Sequence, residues 1–211
     1  MQPITNVAVI GGTGKAGTYL VQQLINQGFH LKLLHRPGTR VVEHPLVTPV
    51  MGDARDYSAI RSLVEGYQAI ISTLGQPRGE APIFRETTRH VLRAMQEGQV
   101  HRYVLITGLN VNTPTDRKGP FTQSATDWMK TNYSDTTADK QKEYALLANS
   151  EARWTLVRLP LIELTSERSK LLVNLEDCPG DRVSATSLAH FLVEQLNSDQ
   201  YVGQAPFVAN A

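Results

Sequence analysis

A glycine-rich turn near the N-terminus constrains the fold of this chain more than any other feature of its sequence. Gly11, Gly14 and Gly17 are spaced three residues apart and follow directly on an apolar run over residues 4–10. The run is typical of a buried strand, and apolar residues recur at helical spacing over residues 16–27. A strand that passes through a tight glycine turn into an amphipathic helix is typical of the first unit of a parallel α/β sheet.

The same alternation of short apolar runs and amphipathic stretches continues along the chain. Strands are predicted at residues 4–10, 31–34, 46–51, 69–72, 102–107, 154–158 and 206–209, and helices at residues 16–27, 57–65, 83–96, 138–149 and from Ser184 onward. Right-handed crossovers between such strands place helices on both faces of a parallel sheet. The sequence therefore predicts a single α/β domain over residues 1–211, a three-layer, Rossmann-like, doubly wound sheet. Its predicted strand order is 3-2-1-4-5-6, which a seventh strand could extend.

Local signals fix several element ends. Pro49 interrupts the third strand, and since proline cannot donate to a ladder, this strand is predicted to lie toward the edge of the sheet. Gly28 and Gly98 are predicted to end the first and third helices, because glycine readily adopts the left-handed conformation that follows a helix. Ser184 is predicted to be the N-cap of the last helix.

The segment over residues 109–137 has no clear period and contains Pro114 and Pro120. A connection of that length is unusual in a compact domain and often has a function, so the segment is predicted to be a lid loop. Trp128 and Tyr133 within it could cover an apolar substrate, or they could pack the loop onto the body of the domain.

Composition excludes several classes of function. The chain has 211 residues with 21 basic and 20 acidic side chains, so its net charge of +1 creates no field that would attract nucleic acid or an anionic membrane. Cys178 is the single cysteine, which agrees with a reducing compartment. We therefore expect a cytoplasmic protein without membrane or nucleic-acid partners, a monomer or a weak homo-oligomer. The histidines show no ligand spacing with one another or with Cys178, so no metal site is predicted.

The glycine turn has the chemistry of a phosphate cradle. A residue free to take positive φ makes the turn tight, and a second glycine lets the backbone approach a pyrophosphate. The helix that follows offers unpaired N–H groups and the positive end of its dipole. The candidate phosphate-binding residues are Gly11, Thr13, Gly14, Lys15, Ala16 and Gly17. Glycine strings also mark ordinary turns, but the strand before and the helix after favour dinucleotide binding here.

The end of the second strand favours NADP(H) over NAD(H). An NAD-selective site places a carboxylate about twenty residues after the glycines, where it accepts from the ribose 2′-OH. Residues 33–40 contain no acid, whereas Arg36 offers a fork of donors to a 2′-phosphate, with Arg40 as a second candidate. The alternative is that both are solvated loop arginines. Glu43 is the first acid after this segment, and it lies far along the chain from the position that a ribose-binding carboxylate takes.

Several segments together resemble a known family. They are residues 9–17 (VIGGTGKAG), 34–36 (LHR), 52–56 (GDARD), 72–75 (STLG), 103–107 (YVLIT), 147–150 (LANS) and 154–160 (WTLVRLP). Lys140 lies between residues 103–107 and 147–150 and belongs to the same set. They resemble the atypical short-chain dehydrogenase/reductases with a single NAD(P)H-binding domain, and among these the NmrA-like and flavin/biliverdin reductase-like branch. The resemblance covers nearly the whole chain and is more specific for the superfamily than for the branch.

The resemblance implies roles for residues beyond the glycine turn. It implies that Asp53, with Ala54 beside it, binds the adenine amino group; from its position alone, Asp53 could equally be a turn or N-cap aspartate. The same resemblance implies cofactor contacts for Thr73, Leu74, Gly75, Thr107 and Gly108, the last two near the nicotinamide. Lys140 would lie near the nicotinamide ribose, where its ammonium could lower the pKa of a proton donor; otherwise it is a solvated helix lysine.

The chain departs from the commoner pattern of this superfamily, which pairs a tyrosine with a lysine four residues later. Thr136 precedes Lys140 by four residues, so that pair is missing, and Gly108 stands where the flavin/biliverdin reductase-like branch has a serine. Thr107 and Lys140 remain as candidate catalytic residues. Three interpretations stay open: hydride transfer from NADPH to a flavin, quinone or similar conjugated acceptor with little help from the protein, a donor such as Tyr133 from the lid, or a non-catalytic NADP(H)-binding redox sensor.

Overall fold

The computed structural model of the protein describes residues 3–77 and 79–211, which form ten strands and six α-helices. In chain order they are β1 (Asn6–Ile10), α1 (Gly17–Asn26), β2 (His30–His35), β3 (Val47–Met51), α2 (Tyr57–Val64), β4 (Ala69–Ser72), α3 (Phe84–Gly98), β5 (Arg102–Gly108), α4 (Pro120–Asn132), α5 (Ser134–Ala148), β6 (Arg153–Leu159), β7 (Leu161–Glu163), β8 (Leu171–Asn174), β9 (Arg182–Ser184), α6 (Ala185–Glu194) and β10 (Phe207–Asn210).

The main sheet has eight strands in the order β3-β2-β1-β4-β5-β6-β10-β8. The first six are parallel neighbours, which confirms the predicted order. β10 extends the sheet in parallel to β6 as a seventh strand, and β8, which was not predicted, closes it in antiparallel to β10. β3 lies at the edge, as its proline predicts. β7 and β9 form a separate parallel pair, also not predicted.

Two hydrophobic clusters, one on each face of the sheet, confirm the three layers. Alternating residues of β1 point to opposite faces, so Val9 packs in the cluster with α1 and α6, and Ile10 packs in the cluster with α2, α3 and α5. Leu24 of α1 and Leu192 of α6 are buried in the first cluster, and Leu147 of α5 in the second. Full burial of one such side chain contributes roughly 1.5–3 kcal/mol, so these faces hold the helices to the sheet.

The helix ends agree with the sequence in two places and differ in one. Gly28 follows α1 with φ +78°, and Ser184 caps α6 by accepting from the Ser187 N–H, both as predicted. α3 does end at Gly98, but the residue in the left-handed conformation is Gln99, with φ 53°, and not the glycine. A glutamine in that conformation gives no sequence signal.

The loop predicted over residues 109–137 is partly helical. Its second half is α4, a helix of 13 residues, and α5 starts at Ser134, four residues before the predicted start of 138. Pro120 is the first residue of α4, where its fixed φ suits a helix and its missing N–H costs nothing. The proline was therefore a helix-start signal and not a loop signal. Thr122 and Thr126 form the buried face of α4, which explains why apolar periodicity did not reveal it.

Candidate functional site

The carboxyl ends of β1, β2, β4 and β5 open into a cavity of about 690 Å³. This volume is typical of a ligand site, and the cavity lies where the strand order reverses between β1 and β4, the usual ligand crevice of such sheets. Apart from Gly17 and the second arginine candidate, Arg40, all the residues expected to bind a cofactor line it: Gly11, Thr13, Gly14, Lys15, Ala16, Arg36, Asp53, Ala54, Thr73, Leu74, Gly75, Thr107, Gly108 and Lys140. The fold thus brings six separate segments to one place.

Close backbone packing explains two of the glycines in the turn. Gly11 has φ +77°, and a Cβ on it would lie 2.7 Å from the Thr73 carbonyl carbon. A Cβ on Gly17 would lie 2.1 Å from the Gly11 carbonyl oxygen, so no larger residue fits at the start of α1. Gly17 therefore does not touch the cavity but lets α1 begin directly behind the turn.

The turn fits a pyrophosphate. The Gly14 N–H donates to the Gly11 carbonyl oxygen at 3.0 Å, which closes the turn and places the N-terminus of α1 against the cavity. The first turn of α1 carries no acidic side chain, so the partial positive charge of its free N–H groups is not offset there. Lys15 is exposed beside it and adds a cation at the cavity wall.

Ion pairs join four charged side chains at the β2 and β3 end of the cavity. Asp53 holds Arg55 through two hydrogen bonds, from Nε at 2.9 Å and from Nη2 at 2.8 Å. Arg55 Nη1 lies 2.8 Å from Glu80 Oε2, and Glu80 Oε1 lies 3.1 Å from Arg36 Nη1. The Arg55 side chain, through its hydrogen bonds, lowers the pKa of Asp53 to about 2, so this carboxyl is ionised at neutral pH. We call the series Asp53–Arg55–Glu80–Arg36 the ion ladder.

The ion ladder changes two expectations. Asp53 also accepts from the backbone N–H of Arg55 at 2.9 Å, the contact of a turn aspartate, and its predicted adenine contact stays a prediction. Arg55 and Arg36 both line the cavity, whereas Arg40, the second candidate for a 2′-phosphate, is not among the lining residues that the structure describes. Sequence reasoning did not propose Glu80, whose 44-residue separation from Arg36 left no local signal.

The opposite end of the cavity is apolar. Beyond Thr107 and Gly108, its wall consists of Ile83, Ile106, Leu159, Pro160 and Ile162. Thr107 is 3% exposed, and within the described part of the chain its hydroxyl has no hydrogen-bond partner. A buried hydroxyl without a partner is costly, which makes Thr107 a candidate contact for a polar atom of a bound ligand.

Lys140 lies on α5 at the cavity wall, with its Nζ 4.6 Å from the centre of the Phe84 ring. Burial lowers the pKa of this lysine, since removing water disfavours the ammonium. The lysine is therefore closer to releasing a proton at neutral pH than a solvated one, and its position agrees with the role that the resemblance implies.

A buried carboxyl lies one helical turn behind Lys140. Glu143 is 4% exposed, and its Oε1 accepts from the Thr88 hydroxyl at 2.7 Å, while Oε2 has no partner among the described residues. Burial raises the pKa of Glu143 to about 7. The Thr88 hydroxyl is also 3.4 Å from the Tyr103 hydroxyl, so α5, α3 and β5 meet in one polar network. We did not assign Glu143 a role from the sequence, although it lies on the same predicted helix face as Lys140.

The segment between β5 and α4 is fixed by buried charges. Arg158 is fully buried, with Nη1 2.6 Å from Asp116 Oδ1 and its guanidinium carbon 3.5 Å from the centre of the Phe207 ring. Lys118 Nζ lies 3.8 Å from the second Asp116 oxygen and donates to the Leu109 carbonyl at 2.9 Å. These contacts tie residues 109–118 to the end of the sheet.

The described cavity wall includes no residue of the predicted lid over 109–137. Tyr133, the donor expected from this segment, is 52% exposed and packs edge-to-face against Trp128 at 5.6 Å. The structure therefore does not bring Tyr133 to the site, and Lys140 and Thr107 remain the candidate catalytic residues.

Three further features were sought in the residues described, 3–77 and 79–211: a metal site, a membrane-spanning helix and a reactive thiol. These residues contain no group of three or more histidine, cysteine or acidic side chains placed to hold a metal ion. No helix among them has the length and apolar character needed to cross a bilayer. Cys178 is buried, with its Sγ 3.2 Å from the Gly180 carbonyl oxygen, and burial raises the pKa of its thiol.

Comparison with known proteins identifies the class. The model of an NAD(P)H-binding family matches residues 11–199, and the chain belongs to this family. It is thus an NAD(P)H-binding protein with a Rossmann-like fold, which agrees with the glycine turn, the strand order and the position of the cavity.

Solved structures with the same fold cover both chains almost completely. A short-chain dehydrogenase/reductase from Veillonella parvula DSM 2008 has a TM-score of 0.81 at 14% identity over 98% of this chain and 94% of that one. A wide-type structure from the same organism, in complex with NADP, has a TM-score of 0.80 at 14% identity and covers 98% and 95%. ChuY, an anaerobillin reductase from Escherichia coli O157:H7, has a TM-score of 0.77 at 16% identity and covers 98% and 97%.

Proposed function

We propose that this protein is an NADPH-dependent reductase that transfers a hydride to a flavin, quinone or similar flat conjugated acceptor. The observation that carries the proposal is one cavity with two unlike ends, a phosphate cradle with arginines on one side and an apolar wall on the other. The first end suits the anionic part of a dinucleotide, and the second suits two stacked rings.

Arg36 and Arg55 support the choice of NADPH over NADH. Both line the cavity near the end of β2, where the ribose 2′ position of a dinucleotide lies in this fold. A guanidinium can hold a phosphate through two parallel hydrogen bonds, a stronger contact than it makes with a hydroxyl. A neighbour in fold was solved with NADP, which is consistent with this choice.

The apolar end supports a conjugated acceptor. When bound, NADPH supplies the hydride, so the protein need only align the acceptor and exclude water. Ile106, Leu159 and Ile162 offer a dry face for a flat ring system. Lys140, whose pKa burial lowers, can deliver a proton to the reduced acceptor, and the Thr107 hydroxyl can hold a polar atom beside it. The reductase name of another neighbour in fold is consistent with this chemistry.

The proposal is tested by following NADPH consumption over a panel of flavins, quinones and linear tetrapyrroles. We expect turnover with at least one acceptor, faster with NADPH than with NADH. Lys140→Met should reduce the rate, whereas Lys142→Met, an exposed lysine on the same helix, serves as the matched control and should not. Absence of NADPH consumption over the whole panel, in a preparation shown to bind NADPH, would contradict the reductase proposal.

A second function, a redox sensor that binds NADP(H) without turnover, is favoured by one observation. The described residues of the cavity wall include no tyrosine, the usual proton donor in relatives that reduce carbonyl groups. A sensor must distinguish the two redox forms, so we expect it to bind NADPH and NADP⁺ with different affinities. Equal affinities, measured by calorimetry, would argue against this second function.

A further inference from the structure

Glu80 forms ion pairs with Arg36 and Arg55, the two arginines on which the proposed preference for NADPH depends. Its two carboxylate oxygens bind different side chains, Oε1 to Arg36 Nη1 at 3.1 Å and Oε2 to Arg55 Nη1 at 2.8 Å. Glu80 is thus a bridge between the segment after β2 and the segment after β3. Its side chain is 33% exposed, so the bridge lies at the rim of the cavity and is open to solvent.

Charge balance in the ion ladder follows from this bridge. Asp53, Arg55, Glu80 and Arg36 contribute two negative and two positive charges, so the ladder is neutral as it stands. A 2′-phosphate brought against Arg36 would add up to two negative charges beside Glu80. Two anions on the same guanidinium repel each other, so the phosphate and the carboxylate compete for the arginines.

We propose that Glu80 is a built-in competitor of the cofactor's 2′-phosphate and thereby sets how strongly this protein prefers NADPH over NADH. With NADPH, the phosphate takes Arg36 and Arg55 from Glu80, and the Glu80 side chain turns away from the two arginines. With NADH, Glu80 stays on both arginines and its carboxylate can accept a hydrogen bond from the 2′-OH. This inference rests on the proposed function, because it assumes that the 2′ position of the ribose lies against Arg36.

The site therefore contains a carboxylate near Arg36, although it does not come from the segment after β2. The carboxylate that selects NAD in this fold normally follows the second strand. Here residues 33–40 contain no acid, and Glu80 reaches the same arginine from the segment between β4 and α3. The distances of 3.1 Å to Arg36 and 2.8 Å to Arg55 show that the Glu80 side chain is long enough to bind both arginines from that segment.

Calorimetric titration with NADPH and NADH tests the inference on the wild-type protein and on Glu80→Gln. The variant keeps the size of the side chain and removes its charge. We expect NADPH affinity to rise by about five- to tenfold, since an exposed ion pair is worth up to about 1 kcal/mol and phosphate repulsion adds to it. NADH affinity should stay constant or fall. Glu151→Gln is the matched control, because it changes net charge equally at an exposed position before β6, at the amino ends of the strands and thus opposite the rim that forms the cavity.

The double variant Arg36→Ala/Glu80→Gln separates competition at Arg36 from a general charge effect. Without Arg36, the gain in NADPH affinity from Glu80→Gln should shrink to about twofold, because only the competition at Arg55 remains and groups that share a partner are not additive. An equal gain in both backgrounds would overturn the inference.

The failures of the two proposals are distinguishable. If the wild-type protein binds both cofactors equally and Glu80→Gln acquires a preference for NADPH, the Glu80 inference holds and the proposed use of NADPH by the wild type fails. If the wild type prefers NADPH and Glu80→Gln leaves that preference unchanged, the Glu80 inference fails alone. If neither protein binds either cofactor, both fail.

Discussion

The two ends of the cavity differ in how far their polar and charged groups are exposed to water. At the end of β2, the charged side chains of the ion ladder are about one-third to one-half exposed and lie in pairs that water screens. At the end of β5, Thr107 is buried with a hydroxyl that has no partner among the described residues, and burial lowers the pKa of Lys140 on the cavity wall. Glu143, one helical turn behind Lys140 and outside the described cavity wall, is buried as well. Exposed pairs contribute little individually and exchange partners easily, whereas buried groups shift their pKa values strongly. The first end is therefore suited to choosing a ligand, and the second is suited to proton chemistry.

The largest expected effect comes from disrupting the turn that joins the two ends. Gly17→Ala places a Cβ 2.1 Å from the Gly11 carbonyl oxygen, so the turn and the start of α1 must separate. We expect cofactor binding to fall at least 100-fold in calorimetry and the protein to unfold at lower temperature, an overpacking cost of about 1–3 kcal/mol or more. Gly98→Ala is the control, because its nearest neighbour beyond the helix backbone would lie 3.8 Å away. Unchanged cofactor binding in Gly17→Ala would contradict the proposed phosphate cradle.

Removing the lysine at the buried end should affect turnover more than binding. For Lys140→Met we expect kcat to fall by about 100-fold, the lower range for loss of general acid catalysis, with the Kd for NADPH little changed. The measurement is steady-state kinetics together with calorimetry. A loss of NADPH affinity with unchanged kcat would instead assign Lys140 to binding, and the contrast between the two ends would disappear.

Removing the arginine at the exposed end should give the reverse pattern. For Arg36→Ala we expect KM for NADPH to rise by about tenfold, since a hydrogen bond to a charged group is worth about 1.5–3 kcal/mol, with KM for NADH unchanged. The effect should weaken as salt is added, because exposed charges are screened. Arg40→Ala is the control, as Arg40 is outside the described cavity wall. Equal loss for both cofactors would show that Arg36 contacts something other than the 2′-phosphate.

The smallest expected effect is a pH dependence of stability at the buried end. Burial raises the pKa of Glu143 to about 7 from 4.5, so between these pH values the folded protein binds more protons than the unfolded one. The free energy of unfolding then falls as pH rises through this window, by at most about 1.4 kcal/mol for each unit of pKa elevation. Lys140 and Asp139 also act on this carboxyl.

Glu143→Gln removes that dependence. Urea unfolding from pH 5 to pH 8 should show the variant gaining stability relative to the wild type as pH rises, by about 1 kcal/mol or more. A constant difference between the two proteins over this range would mean that Glu143 is already ionised in the folded state.

Most of the sheet could be predicted from the sequence, because its signals are local. Six parallel strands and the glycine turn show themselves as apolar runs, helical spacing and positive-φ residues within short windows. The short strands β7, β8 and β9 were not predicted, because most of their residues are exposed or half-buried and they lack the fully buried apolar run that marks the equally short β4. Helix α4 was hidden because its buried face consists of threonines.

Most of the site could be predicted because its residues lie at strand ends. Arg36, Asp53 and Thr73 follow strands and Thr107 is the second-last residue of β5, so the topology alone brings them to one rim of the sheet. Lys140, on a helix, was expected only from the resemblance. Glu80 is held there by long-range ion pairs, and these have no signature in the sequence. A residue of this kind is found only from the structure, and the proposed role of Glu80 in cofactor preference depends on those ion pairs.

Calorimetric titration of the wild-type protein with NADPH, with NADH as the comparison, tests the central claim most directly. We expect one NADPH to bind per chain, more tightly than NADH, with an affinity that falls as salt is added because a phosphate meets exposed arginines. No binding of NADPH would contradict the assignment of the cavity as a cofactor site. Binding of NADPH no tighter than that of NADH would contradict the role given to Arg36 and Arg55 in the wild-type protein.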